Sequence, residues 1–267
     1  MADAVAALLA SPSTALIALD FDGTLSPIVE RPESAHLASG ALEVLGQLSA
    51  VVGSLAIISG RAASEVIALG ELDSIPGLRV LGHYGMQSWQ AGQLRSPDPL
   101  PAVRLAHDAV DALVADAPAG VVVEDKQHSI AVHTRRAADP AQALDDLTPA
   151  LWQIADDNAL EAVPGKFVVE LRPPGIDKGT ALRRLIEDLG PDTVIYVGDD
   201  LGDLPAFREV VDLREAGAIA GLCVAAVERG PGGVDTGPAE VRAQADLVLP
   251  GPEGVVGWLS GLLAMMR

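Results

Sequence analysis

Leu16-Ile17-Ala18-Leu19-Asp20-Phe21-Asp22-Gly23-Thr24 joins four apolar residues to two carboxylates spaced two apart. The apolar part is short and does not alternate, as expected of a strand buried on both faces of a parallel sheet. In open α/β sheets, sites form outside the carboxyl ends of the strands. Asp20 and Asp22 stand there and can share one turn while Phe21 points elsewhere. Gly23 allows close backbone approach, and Thr24 supplies a hydroxyl and an N–H for an anion. One carboxylate could attack phosphorus covalently. The other could protonate a leaving oxygen and then deprotonate water. Asp and Gly also favour turns, so on these residues alone a structural turn fits as well.

Similar apolar runs recur at Leu55–Ile58, Thr193–Val197, Leu222–Ala226 and Leu247–Leu249. Amphipathic stretches at Gly40–Ser49, Ala62–Leu69, Gly179–Leu189, Leu204–Val211 and Val255–Met265 separate them. Alternating strands and helices predict an α/β fold with a doubly wound parallel sheet. The middle differs. Pro97–Pro101 reads as a linker. Beyond it lie a helix at Ala102–Ala115, a hairpin of Val121–Glu124 and Ile130–Thr134, and a second helix at Pro140–Asp156. Strands at Leu160–Val163 and Phe167–Leu171 follow, joined through Pro164-Gly165. This αββαββ order reads as a smaller α+β module, 99–174, inserted into a core of 1–98 and 175–267.

Composition narrows the function. The chain has 267 residues and 49% hydrophobic side chains, enough for a substantial core, but only 3% aromatics, so Ala, Val and Leu must fill it. A formal charge of −19 argues against general nucleic-acid binding. Local cations can still accept an anionic substrate. The single cysteine, Cys223, excludes an internal disulfide framework and fits a core position. Met1-Ala2-Asp3 lacks a basic leader, and no apolar run is long enough to span a membrane. A cytoplasmic monomer free of membrane is the expectation.

Three further segments change the reading of Asp20 and Asp22. Ile57-Ile58-Ser59-Gly60-Arg61 places a hydroxyl at the end of the second strand, suited to a phosphate oxygen or to capping a helix. Asp177-Lys178-Gly179-Thr180 opens a helix with a point charge for phosphate. Tyr196-Val197-Gly198-Asp199-Asp200-Leu201-Gly202-Asp203 puts three carboxylates after a buried strand, a set that repels itself without a cation and suits Mg2+. Together the four segments carry the parts that phosphoryl transfer needs.

In this order the segments resemble the four motifs of the haloacid dehalogenase-like phosphatase superfamily. That resemblance implies Asp20 as nucleophile, Asp22 as acid/base, and Thr24, Ser59 and Lys178 on the phosphate. It implies Mg2+ on Asp20, the Asp22 carbonyl and Asp199, with Asp203 as a close or water-mediated partner. The inserted module looks like a C2-type cap. Within the superfamily, five segments between about 16 and 208 resemble the trehalose-6-phosphate phosphatases. They are Ile58–Arg61, Gly82-His83-Tyr84-Gly85, Val123-Glu124-Asp125-Lys126, Ser129–Arg135 and Val169–Gly179, the last containing Glu170-Leu171-Arg172-Pro173-Pro174-Gly175. By that resemblance Glu124, Lys126 and Glu170 read the distal sugar of trehalose 6-phosphate, while Arg61 and His83 line the cleft. Hinges are expected at Pro97–Pro101 and Arg172–Gly175. The sequence departs from the family where Gly202 and Leu204 replace a usual Thr and Glu, and where Gln127-His128 replaces Gly-Phe. A phosphatase for another sugar phosphate, such as sucrose phosphate or a mannosyl phosphate, shares these features. So does a sugar-phosphate-binding regulator without turnover.

Overall fold

The computed structural model describes residues 2–29, 31–227 and 237–267. Along the chain the elements are α1 (Ala2–Ala10), β1 (Ala15–Leu19), α2 (Ala41–Ser49), β2 (Ser54–Ile58), α3 (Ala63–Gly70), β3 (Arg79–Gly82), β4 (Gln87–Gln90) and β5 (Gln93–Arg95). Then come α4 (Pro101–Val114), β6 (Val122–Asp125), β7 (Ile130–His133), α5 (Pro140–Asp157), β8 (Glu161–Gly165) and β9 (Val168–Arg172). The chain finishes with α6 (Lys178–Leu189), β10 (Thr193–Gly198), α7 (Leu204–Glu215), β11 (Ala220–Ala226), α8 (Ala239–Gln244), β12 (Leu247–Leu249) and α9 (Gly251–Met266). These elements form two compact units, Met1–Arg95 with Asp177–Arg267, and Ser96–Ile176.

The first unit is built on a sheet ordered β12-β11-β10-β1-β2-β3-β4-β5. The strands from β12 to β3 are parallel; β4 and β5 add antiparallel at one edge. Every residue of β1 and β10 is buried, which explains why their apolar runs do not alternate. Ile17 and Leu19 pack with Leu8, Leu45, Leu48, Val66 and Leu259 from α1, α2, α3 and α9. Leu16 and Ala18 face the opposite way, into Leu182, Leu185, Phe207, Val210 and Val241 from α6, α7 and α8. Each such aliphatic side chain contributes about 1.5–3 kcal/mol when fully buried. Aromatics are scarce, but Tyr196 and Phe207 meet edge-to-face at 5.9 Å. Cys223 is fully buried in the same layer, and burial pushes its thiol up to about 12.

Three strands were not legible as such in the sequence. Val80 and Trp89 are the buried apolar side chains of β3 and β4, but the equally buried Gln87, with Ser88, Gln90, Gln93 and Arg95, blurs the pattern. In β5 polar residues are tolerated because it is an edge strand; in β4 the buried Gln87 accepts from Ala63 N at 3.0 Å. The apolar Ala2–Ala10 segment also proves helical.

The second unit has a four-stranded antiparallel sheet ordered β6-β7-β9-β8. Val103, Ala106 and Val110 of α4, with Leu147, Leu151 and Ala155 of α5, pack on Ile130, Val132, Val169 and Leu171. The alternate strand positions carry Glu124, His133 and Glu170. Asp139 caps α5, accepting from Gln142 N at 3.1 Å. Two expectations are corrected. Pro101 begins α4 rather than belonging to a linker, since proline is favoured in a helix's first turn. β8 runs through Pro164-Gly165, and the turn falls at Lys166-Phe167, with Phe167 at φ 60°. Pro164 is tolerated within β8 because that strand is an edge. Among the described residues no helix is long and apolar enough to cross a membrane.

Candidate active site

Three neighbouring parallel strands deliver the candidate residues to one edge of the first unit. Leu19 pairs with Ile57 on one side and Val197 on the other, so Asp20, Ser59 and Asp199 follow strand ends at nearly the same level. Asp20 N donates to Val197 O at 2.9 Å and Ser59 N to Leu81 O at 2.9 Å, extending the ladder just past the strands. β1 is also where the chain's progression across the sheet reverses, with β2 on one side and β10 on the other.

Lys178, the first residue of α6, links the cluster. Its N-terminal turn is fixed by Asp177, which accepts from Thr180 N at 2.7 Å. Lys178 Nζ lies 2.8 Å from Asp20 Oδ1 and 2.8 Å from Asp203 Oδ1, and all three side chains are almost completely buried. Asp203 is held on every side. Oδ1 accepts from Lys178 and from Tyr196 OH at 2.7 Å; Oδ2 accepts from the backbone N–H of Asp199 at 3.0 Å and of Asp200 at 3.2 Å. A carboxylate offers about four acceptor positions, and these contacts occupy them. Asp200 completes a capping box with Asp203. Gly202, at a departure from the family pattern, donates its N–H to Asp200 Oδ1 at 2.8 Å. Leu204, at the other, joins the apolar layer beneath α7.

One oxygen from each of Asp20, Asp199 and Asp203 lies within 4.8 Å of the others. Thr24 Oγ1 donates to Asp199 Oδ1 at 3.3 Å. Gly23, at φ 77°, lies so near Asp199 that a Cβ there would fall 2.1 Å from Oδ2. Gly198 is similarly tight: a Cβ would sit 2.3 Å from Asp203 Cγ. Both glycines are therefore needed for close approach. The electrostatics follow from burial. Desolvation pushes Asp20 up to about 8, partly opposed by Lys178 and reinforced by Asp203 and Asp200. Desolvation, then the charges of Asp20, Asp203 and Asp200, push Asp199 up to about 10. The charges of Asp20 and Asp203 hold Lys178 well above its ordinary range against the opposing effect of its own burial. Thus one buried ammonium faces more carboxylate charge than it can neutralise.

Asp22 is placed differently. Its carboxylate is 37% exposed and held by Arg61 in a two-point pair, Nε to Oδ2 at 2.6 Å and Nη2 to Oδ1 at 2.7 Å. Arg61 N donates to Ser59 Oγ at 3.1 Å. His83 N donates to Arg61 O at 2.8 Å and Tyr84 N to Ser59 O at 3.0 Å, fastening the turn after β2 to the turn after β3. His83 and Tyr84 take φ of 47° and 55°, and His83 is buried. Sequence reasoning missed Tyr196, hidden in an apolar strand, and Gln87, whose Oε1 accepts from Ala63 N at 3.0 Å to hold the start of α3.

In the second unit the sheet register aligns Glu124, Ala131 and Glu170 across β6, β7 and β9. Lys126 Nζ is 3.6 Å from Glu170 Oε1, Ser129 Oγ donates to the same oxygen, and His133 Nε2 lies 2.8 Å from Glu124 Oε2. His128 is buried, with Nε2 3.2 Å from Ser96 Oγ; burial lowers its affinity for a proton. Glu124, His133 and Glu170, with Lys126 and Ser129 tied to Glu170, form a polar set on the face opposite α4 and α5.

The fold is that of the haloacid dehalogenase-like hydrolases. One from Bacteroides thetaiotaomicron aligns with a TM-score of 0.64 at 17% identity, covering 93% of this chain and 99% of that one. More narrowly, the chain belongs to the trehalose-phosphatase family, whose model matches residues 18–230. The C-terminal domain of trehalose-6-phosphate phosphatase from C. albicans aligns with a TM-score of 0.76 at 23% identity, over 98% of this chain and 95% of that one. The trehalose-phosphate phosphatase of Mycobacterium tuberculosis is 35% identical over 208 residues, which are 72% of this chain and 50% of that protein. A second protein of that organism, named an uncharacterized glycosyl hydrolase, is 41% identical over 210 residues, 72% of this chain but 15% of its own length. The chain therefore spans half or less of these curated relatives.

Proposed function

We propose that this chain hydrolyses trehalose 6-phosphate to trehalose and phosphate, with Asp20 as covalent nucleophile and Asp22 as acid/base. The observation that carries the chemistry is the buried Asp20–Lys178–Asp203 chain at the carboxyl ends of β1 and β10, with both contacts at 2.8 Å. Lys178 anchors one oxygen of the Asp20 carboxylate and adds positive charge where a phosphoryl dianion arrives. An Asp20 oxygen bonds to phosphorus as the bond to the sugar oxygen breaks, and Asp22 delivers its proton to that oxygen. A water then attacks phosphorus, Asp22 takes its proton, and phosphate leaves with Asp20 restored.

The donor set fits Mg2+. It consists of oxygen ligands alone, and its carboxylates exceed the charge of Lys178. Asp20 and Asp199 would hold the ion, with the Asp22 carbonyl as the family pattern implies. Asp203, whose acceptor positions are engaged, supports Lys178 and the loop instead. When bound, Mg2+ supplies neutralising charge for the phosphoryl oxygens. Thr24 and Ser59 are assigned to the phosphate.

The second unit is assigned to substrate recognition. Glu124, Lys126 and Glu170 offer acceptors and a donor suited to sugar hydroxyls. Phosphate release from trehalose 6-phosphate, sucrose phosphate and a mannosyl phosphate, with and without Mg2+, tests the whole reading. Mg2+-dependent release favouring trehalose 6-phosphate is expected. Equal rates on all three would overturn the substrate assignment, and binding without release would overturn the enzyme assignment.

A further inference from the structure

The geometry points to Arg61 as a positioning residue for Asp22, rather than a residue that reads the sugar. This inference rests on the proposed phosphatase chemistry and assigns a task within it. Arg61 meets Asp22 through two separate nitrogens, one to each carboxylate oxygen, at 2.6 and 2.7 Å. Two parallel contacts fix the plane of a carboxylate, whereas one contact leaves it free to rotate.

The backbone at Arg61 is fixed on both sides, so its side chain starts from a set position. Its N–H is tied to Ser59 Oγ and its carbonyl to His83 N, while Ser59 O receives Tyr84 N. His83 and Tyr84 both sit in the left-handed region, which costs non-glycine residues energy and persists where surroundings impose it. Turns from two strands thus converge on the Arg61 backbone, and its guanidinium orients one carboxylate. Asp20 is positioned by Lys178; Asp22 has no comparable contact to Lys178 and is oriented by Arg61. Each Asp22 oxygen retains a second acceptor position after the Arg61 contact, where a proton can be carried to the leaving oxygen or taken from water.

A displaced acid/base matters most where the leaving group needs a proton. Arg61→Met and Arg61→Lys are compared with wild type on trehalose 6-phosphate and on p-nitrophenyl phosphate, whose leaving group departs unprotonated. For Arg61→Met on the sugar phosphate, kcat should fall about 10- to 100-fold with KM changed less than about threefold, the size expected of a misplaced catalytic group. On the aryl phosphate, formation of the aspartyl-phosphate is spared and its hydrolysis is slowed. The variant should therefore release a burst of about one nitrophenolate per protein before slow turnover. Arg61→Lys, restricted to one contact, should fall between. In an Asp22→Asn background Arg61→Met should add less than about a twofold loss, since the group it orients is gone.

A raised KM with kcat intact would assign Arg61 to the substrate and overturn the inference. Equal losses on both substrates without a burst, or a full further loss in the Asp22→Asn background, would also overturn it as a general structural effect. Wild type that releases phosphate from neither substrate would overturn the phosphatase reading itself, a distinct result.

Discussion

The polar groups of the two units differ in how tightly they are held. In the first unit, Asp20, Lys178 and Asp203 have side chains no more than 6% exposed and are locked to one another. In the second, Glu124 is half exposed, and Lys126 and Glu170 meet at a looser 3.6 Å. Burying charge costs several kcal/mol per ion unless it is paired. A protein keeps such a cluster where the strong field of a dry site is needed, as at a reacting phosphoryl group. Sugar hydroxyls ask for less. The half-exposed Glu124 can exchange water for a hydroxyl with little net cost, while the buried Glu170 is held ready by Lys126 and Ser129. The contrast is what the proposed division, chemistry in the first unit and recognition in the second, would require.

The most severe way to break this contrast is Asp20→Asn. Phosphate release should drop to the detection limit. The fold should persist, because Asp20 is a desolvated carboxylate pushed up to about 8 and its neutral isostere avoids that cost. Turnover by a folded variant, measured as phosphate release alongside circular dichroism, would remove the nucleophile assignment. Lys178→Met should come next. It abolishes activity and leaves Asp20 and Asp203 without their ammonium, a loss of about 3–5 kcal/mol in denaturant melts.

Cation and pH sharpen the comparison. Unfolded, Asp20 titrates near 3.8; folded, near about 8. Across that window the folded chain keeps a proton that the unfolded chain has released, so stability falls as pH rises. Mg2+ would relieve the carboxylate repulsion. The gain in Tm from Mg2+ should therefore be small near about pH 5 and larger near about pH 8. A gain independent of pH would argue against an ion among these groups. The smallest effect is expected in the second unit. Glu124→Gln should raise KM for trehalose 6-phosphate about tenfold while changing kcat less than about threefold, consistent with a role in uniform binding. A loss confined to kcat would contradict the division of labour.

Much of this was legible in the sequence where a residue's role is set by local pattern. β1 and β10 are apolar throughout because both faces of the sheet are covered, and the carboxylates stand where those runs end. The αββαββ order was readable for the same reason, since helix and strand periodicities differ. β5 was hidden because an edge strand needs no apolar run, and β4 because Gln87, a buried polar residue, interrupts its apolar face. Tyr196 was hidden because a buried phenol in a Val- and Ile-rich strand looks like core until its hydroxyl is seen on Asp203 at 2.7 Å. The Arg61–Asp22 pair joins residues 39 apart through two turns, and pattern alone does not show which carboxylate an arginine will meet.

Cys223 is the chain's only cysteine, and its thiol is buried against the Phe207 carbonyl. Maleimide dyes require an exposed thiolate, so the natural chain should remain unlabelled. Cysteines introduced at the exposed positions Gln93 and Asp116, one in each unit, would then carry a donor and an acceptor without any background substitution. The protein is thus a ready-made ruler for energy transfer, able to report the separation of its two units as substrate and cation are added.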